Sequence, residues 1–111
     1  MDRSTVRYNR GRMSLVCKRC VVSGRVQGVG YRNFVREVAS REKVSGYVRN
    51  LSDGSVEVVL CGGMESIERV ERSLLAGPSA ARVDGVESTL RPVEAFQSEF
   101  EIRATMRRTG E

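Results

Sequence analysis

The sequence predicts an α+β domain with the element order β-α-β-β-α-β. This means an antiparallel sheet with two helices packed on one face, and room for a short fifth strand near the C-terminus. Three observations predict it. Two segments, from Tyr31 to about Lys43 and from 63 to 76, carry apolar residues at the helical period. Four other segments read as short strands, the first of them an apolar, β-branched run. Between two of them stands Ser52-Asp53-Gly54, and Asp-Gly between strand-like runs is a strong hairpin signal.

Each element follows from its residues. Residues 15–24 form an apolar, β-branched run, read as strand 1, and RVQGVG (25–30) is a glycine-containing loop. From Tyr31 the period becomes helical, with Tyr31, Phe34, Val35, Val38 and Ala39 on one face. The runs 45–51 and 55–61 flank the hairpin; in the second, Val56, Val58 and Leu60 define an apolar face, while Glu57, Val59 and Cys61 make the other face mixed. Ile67, Val70 and Leu74 form the stripe of the second helix, which Ala76-Gly77-Pro78 ends. A fourth strand is expected within 81–90 and a short fifth at 98–103. The order is the split βαβ, or ferredoxin-like, arrangement. That fold serves as RNA-binding module, metal chaperone, regulatory domain and small enzyme, so function rests on the sites.

Composition narrows the classes. The chain of 111 residues suffices for one domain, and no apolar run approaches the length of a membrane span. The basic N-terminal segment MDRSTVRYNRGRM lacks the apolar stretch of a secretory signal. The net charge of +5 lies in the ends: Arg3, Arg7, Arg10 and Arg12 against Asp2, and Arg103, Arg107 and Arg108 against Glu111. The residues between are formally neutral, which argues against a nucleic-acid partner; residues 1–13 and 104–111 are expected to be a disordered basic arm and a tail around a domain at 14–103. There is no histidine. Imidazole acid–base catalysis, phosphohistidine chemistry and His-rich zinc sites are thereby removed. Cys17, Cys20 and Cys61 are odd in number, so reduced thiols in the cytoplasm are expected. Cys17 and Cys20 have the C-x-x-C form, but three apart on a strand they face opposite ways and cannot share a metal.

The stretch VSGRVQGVGYRNFV places Arg32 in the first turn of a helix, where the backbone already carries about half a positive charge. A glycine turn into a helix N-terminus presents backbone N–H groups as an anion cradle. An arginine there becomes favourable when a multiply charged anion sits between guanidinium and amides, and its fork matches a phosphoryl group. Arg32 is therefore a candidate phosphate clamp; an exposed arginine that only snorkels is the plain alternative. Asn50, taken by itself, is most simply a strand-end turn residue.

Together, GRVQGVGYR and GYVRNLSDGSVEV resemble the acylphosphatase family, and the similarity extends over about residues 15–103. Tyr31 stands where that family often has phenylalanine. The resemblance implies hydrolysis of a small acyl phosphate to carboxylate and phosphate, without metal or other cofactor. It implies that Arg32 is the phosphate-binding catalytic arginine and that Asn50 orients the attacking water. Arg25, Val26, Gln27, Gly28, Val29, Gly30 and Tyr31 would form the phosphate-binding loop. Phosphate or sulfate would occupy the same site. No membrane partner is implied, and a monomer is expected.

The chemistry agrees with what the sequence lacks. A carboxylate, whose conjugate acid has a pKa of about 4, leaves without protonation. Other readings fare worse. Cys20 and Arg25 are spaced C-x₄-R rather than the C-x₅-R of cysteine phosphatases, and the loop has no cysteine of the kind a metal chaperone needs. Strands 1 and 3 lack the aromatic residues on which an RNA-binding sheet stacks bases.

Overall fold

Alternation along each strand assembles a five-stranded sheet. The computed structural model describes residues 15–96 and 99–106. The arm expected over 1–13, residue 98 of the expected fifth strand and residues 107–111 of the expected tail lie outside them. The elements are β1 (Leu15–Arg25), α1 (Tyr31–Arg41), β2 (Ser45–Asn50), β3 (Val56–Gly63), α2 (Met64–Ala76), β4 (Arg82–Arg91) and β5 (Glu101–Ile102). The strands lie in the order β4-β1-β3-β2-β5. The first four pair antiparallel, as expected for a ferredoxin-like sheet, while β5 joins β2 in parallel.

Both helices pack on one face. Tyr31, Val35, Val38 and Ala39 of α1 and Ile67, Val70 and Leu74 of α2 are buried against Cys20, Val22, Val48, Val56, Val58 and Leu60 of the sheet. Each buried Val, Leu or Ile among them contributes about 1.5–3 kcal/mol. The Tyr31 hydroxyl, which phenylalanine would lack, donates to the Leu74 carbonyl at 2.8 Å. Burial, and the nearby Cys20, push its phenol well above the usual range, so it stays a neutral donor.

Helix α1 ends two residues before the expected Lys43. Val44 N–H donates to the Ala39 carbonyl and Lys43 N–H to that of Ser40, with Lys43 itself left-handed at φ 59°. This is a Schellman end with lysine in the place glycine usually takes.

The other face of the sheet is not simply mixed. Cys17, Tyr47, Val59 and Cys61 form a second small core, covered by Phe96. Cys17 lies directly opposite Cys61 on the paired strands, and the two form a disulfide. The expectation of three reduced thiols is corrected for this pair; Cys20 is a free, buried thiol on the helix side. Glu57 is also buried, held at 2.6 Å by both Arg19 and Arg49.

Candidate active site

The loop between β1 and α1 is pinned from within. Val26 is fully buried and Val29 packs partly on the same core. Between and after them, Gly28 (φ 75°) and Gly30 (φ 79°) are left-handed, and nothing crowds the place where their Cβ atoms would stand. Their glycines therefore answer to backbone angle rather than to lack of space. Left-handed residues alternating with right-handed ones turn successive N–H groups to one side, as an anion-binding nest does.

Helix α1 starts straight from this loop, without a side-chain cap or an acidic residue in its first turn. Its first N–H groups are left for an outside acceptor. Arg32 stands half-buried beside them, and among the described residues it has no carboxylate partner. Guanidinium charge and helix terminus thus add with the same sign, and no described carboxylate pairs with Arg32 to offset them. Val26, Gly28, Gly30, Tyr31, Arg32, Asn33 and Ile102 line a pocket of ≈ 300 Å³. That is about ten times the volume share of one water, so the pocket has room for more than a phosphoryl group.

Two of these lining residues, Asn33 and Ile102, escape a reading of the sequence. Asn33 follows Arg32 and accepts a hydrogen bond from Arg36 at 3.2 Å. Ile102 reaches the site only because β5 pairs with Val48 of β2, which no local motif signals. Arg25 is exposed at the end of β1, opposite Arg82, and is not among the lining residues. The Gln27 side chain turns to the β2–β3 hairpin, donating from Nε2 to the carbonyls of Leu51 and Ser55, each at 2.8 Å.

Asn50 is the last residue of β2 and is not among the lining residues either. Its neighbour Leu51 is nevertheless bonded to the loop through Gln27. The Asn50 Oδ1 atom is buried and has no donor among the described residues. A turn asparagine would spend that oxygen on its own hairpin. Here Asp53 does so instead, accepting from Ser55 N–H at 3.0 Å and Ser55 Oγ at 2.6 Å. The side chain of Asn50 is thus idle in the turn it borders. Among the described residues no three His, Cys, Asp or Glu side chains stand together as a metal site.

Comparison with known proteins finds acylphosphatases. The family model described as Acylphosphatase matches residues 18–102. An acylphosphatase of Chromohalobacter salexigens is 52% identical over 71 residues, covering 64% of this chain and 79% of its own. One of Nitrosococcus oceani is 42% identical over 89 residues, covering 80% and 99%. Among solved structures, an acylphosphatase from Coxiella burnetii superposes with a TM-score of 0.79 at 38% identity, covering 85% of this chain and 98% of its own.

Proposed function

The chain belongs to the acylphosphatase family and hydrolyses acyl phosphates, and we propose that it does so by direct attack of a water oriented by Asn50 on a phosphoryl group held by Arg32 and the amides of the loop. The observation that carries this reading is that, among the described residues, two groups are idle: the Arg32 guanidinium, without a carboxylate, and the buried Asn50 carboxamide oxygen, without a donor. The phosphoryl oxygens bind to the nest at 25–31 and to Arg32, as inorganic phosphate or sulfate would. Asn50 Oδ1 accepts one hydrogen of the water and directs its lone pair at phosphorus. The new P–O bond forms as the bond to the acyl oxygen breaks. The carboxylate leaves with that electron pair, and the water's proton passes to a phosphoryl oxygen. A dianionic acyl phosphate and water thus give a carboxylate and H₂PO₄⁻. Arg32 and the amides stabilise the charge of a loose transition state. The leaving group needs no acid, so neither histidine nor metal is required.

Phosphate release from acetyl phosphate should persist in EDTA and be inhibited competitively by inorganic phosphate. Loss of activity on chelation, restored by zinc or magnesium, would overturn the mechanism. We assign the hydrolase domain to 14–103, acting as a monomer, with residues 104–106 of the tail running on along β2. Removing the basic arm 1–13 leaves turnover unchanged on this view, and sedimentation showing that only a dimer is active would refute it. We place the protein in the cytoplasm, where the Cys17–Cys61 disulfide has to withstand the glutathione pool. Alkylation of intact cells that found the pair already joined would point to an oxidising compartment.

A further inference from the structure

We infer that Gln27 and the backbone of Met106 are positioning groups that fix the Asn50 peptide relative to the anion cradle, and so set turnover rather than phosphate affinity. The inference rests on the water-orienting role proposed for Asn50. Gln27 sits within the loop, yet its side chain makes no bond there. Its two amide hydrogens go to Leu51 and Ser55, whose carbonyls bracket the hairpin. Those two residues are themselves joined by Leu51 N–H to Ser55 O at 2.9 Å. Loop and hairpin therefore move as one piece, tied one residue beyond Asn50.

The opposite side of the same peptide is held by chain that lies past the region matched by the family model, which ends at 102. After β5 the backbone continues along β2. Arg103 N–H donates to Val48 O at 2.8 Å, Met106 N–H to Asn50 O at 2.9 Å, and Ser52 N–H returns to Met106 O at 2.9 Å. Leu51 and Met106 form a parallel bridge. The carbonyl of Asn50 and that of Leu51 are thus both engaged, while the Asn50 side-chain oxygen is left unbonded by protein. Fixing a peptide on both sides of a residue whose own side chain is free is what a water-orienting group needs, because a shift of about 1 Å in such a group can lower the rate a hundredfold.

The test separates donor chemistry from bulk. Gln27→Met keeps length and loses both donors. Met106→Pro removes the N–H that reaches Asn50 but also the side chain and the freedom of φ; Met106→Ala, which keeps the N–H, controls for the side chain. With acetyl phosphate, Gln27→Met and Met106→Pro should lower kcat by about ten- to a hundredfold, with the inhibition constant of inorganic phosphate within about twofold of wild type. Met106→Ala should match wild type. Gln27→Glu should be poor near pH 7, where a carboxylate faces two carbonyls. It should recover relative to wild type in acid, as the carboxyl regains a proton and donates again. Wild-type kcat in Gln27→Met and Met106→Pro would overturn the inference. So would loss of kcat and phosphate affinity together in step with a falling Tm, and so would a Gln27→Glu to wild-type ratio independent of pH. Asn50→Ala is the reference: if it leaves kcat intact, the proposed mechanism itself fails, whereas a slow Asn50→Ala beside a fast Gln27→Met fails this inference alone.

Discussion

An unbonded buried acceptor costs about 1–3 kcal/mol, and Asn50 carries one. Arg32 adds a second local conflict, a cation at the positive end of α1, of about 0.3–1 kcal/mol. Two such conflicts at neighbouring ends of loop and strand are what a site tuned for a bound ligand would leave. Their removal should separate function from stability. Asn50→Ala is expected to lower kcat by about 10² to 10³, by analogy with loss of one oriented polar group, without lowering Tm. Arg32→Ala should weaken both phosphate inhibition and turnover, again with Tm unchanged or raised. Steady-state kinetics beside thermal melts check both, and an Asn50→Ala with wild-type kcat and a much lower Tm would restore the turn-residue reading. At this scale the two glycines and the arginine were legible, because each breaks a local rule. The Gln27 staple was not. Its acceptors are backbone carbonyls 24 and 28 residues away, and a carbonyl carries no residue identity.

The helices were legible as elements because their apolar period coincides with the residues that became buried, Tyr31, Val35, Val38 and Ala39 in one and Ile67, Val70 and Leu74 in the other. The end of α1 was overrun by two residues, since lysine is a good helix former and gives no stop signal. Its left-handed φ of 59° identifies a place where glycine fits better. Lys43→Gly should raise stability by about 0.5–1 kcal/mol, the strain relieved less the added freedom of the unfolded chain; urea denaturation midpoints at equal slope measure it. The disulfide was hidden for a different reason. Strand positions 17 and 61 were both identified, but only the register of β1 on β3 sets them opposite each other. Linking residues 44 apart in sequence stabilises by up to about 4 kcal/mol in the chain-entropy estimate. Cys17→Ala/Cys61→Ala should lose a large part of that in denaturant titration, while turnover per folded molecule stays near wild type, since neither sulfur is in the pocket.

Across the whole molecule the two sheet faces are stabilised differently. The helix side depends on apolar burial; the other side includes the pair of arginines around Glu57. Burial pushes that carboxyl up, but the hydrogen bonds and charges of Arg19 and Arg49 outweigh burial and hold it below its usual range. A depressed folded pKa gives stability that is present above the unfolded value, near 4.5, and is lost as pH falls through the folded one. Unfolding free energy should therefore drop more steeply below about pH 4.5 in wild type than in Glu57→Gln; parallel curves in acid would contradict this. Strand order has a consequence of another kind, for the chain during synthesis. β1 is made first yet lies inside the sheet between β4 and β3, and both its partners come later, Leu15 meeting Gly63 and Cys17 meeting Arg91. At a translation rate of about 5–20 residues per second, β1 leaves the ribosome on the order of ten seconds before its second neighbour exists. Until β3 is made LVCKRCVV has no neighbour in the sheet, and its Lys18-Arg19 interruption is the kind of charge that discourages pairing between exposed apolar strands. The two cations that end up bonded to Glu71 and Glu57 thus stand where a gatekeeper of an unfinished sheet would be placed.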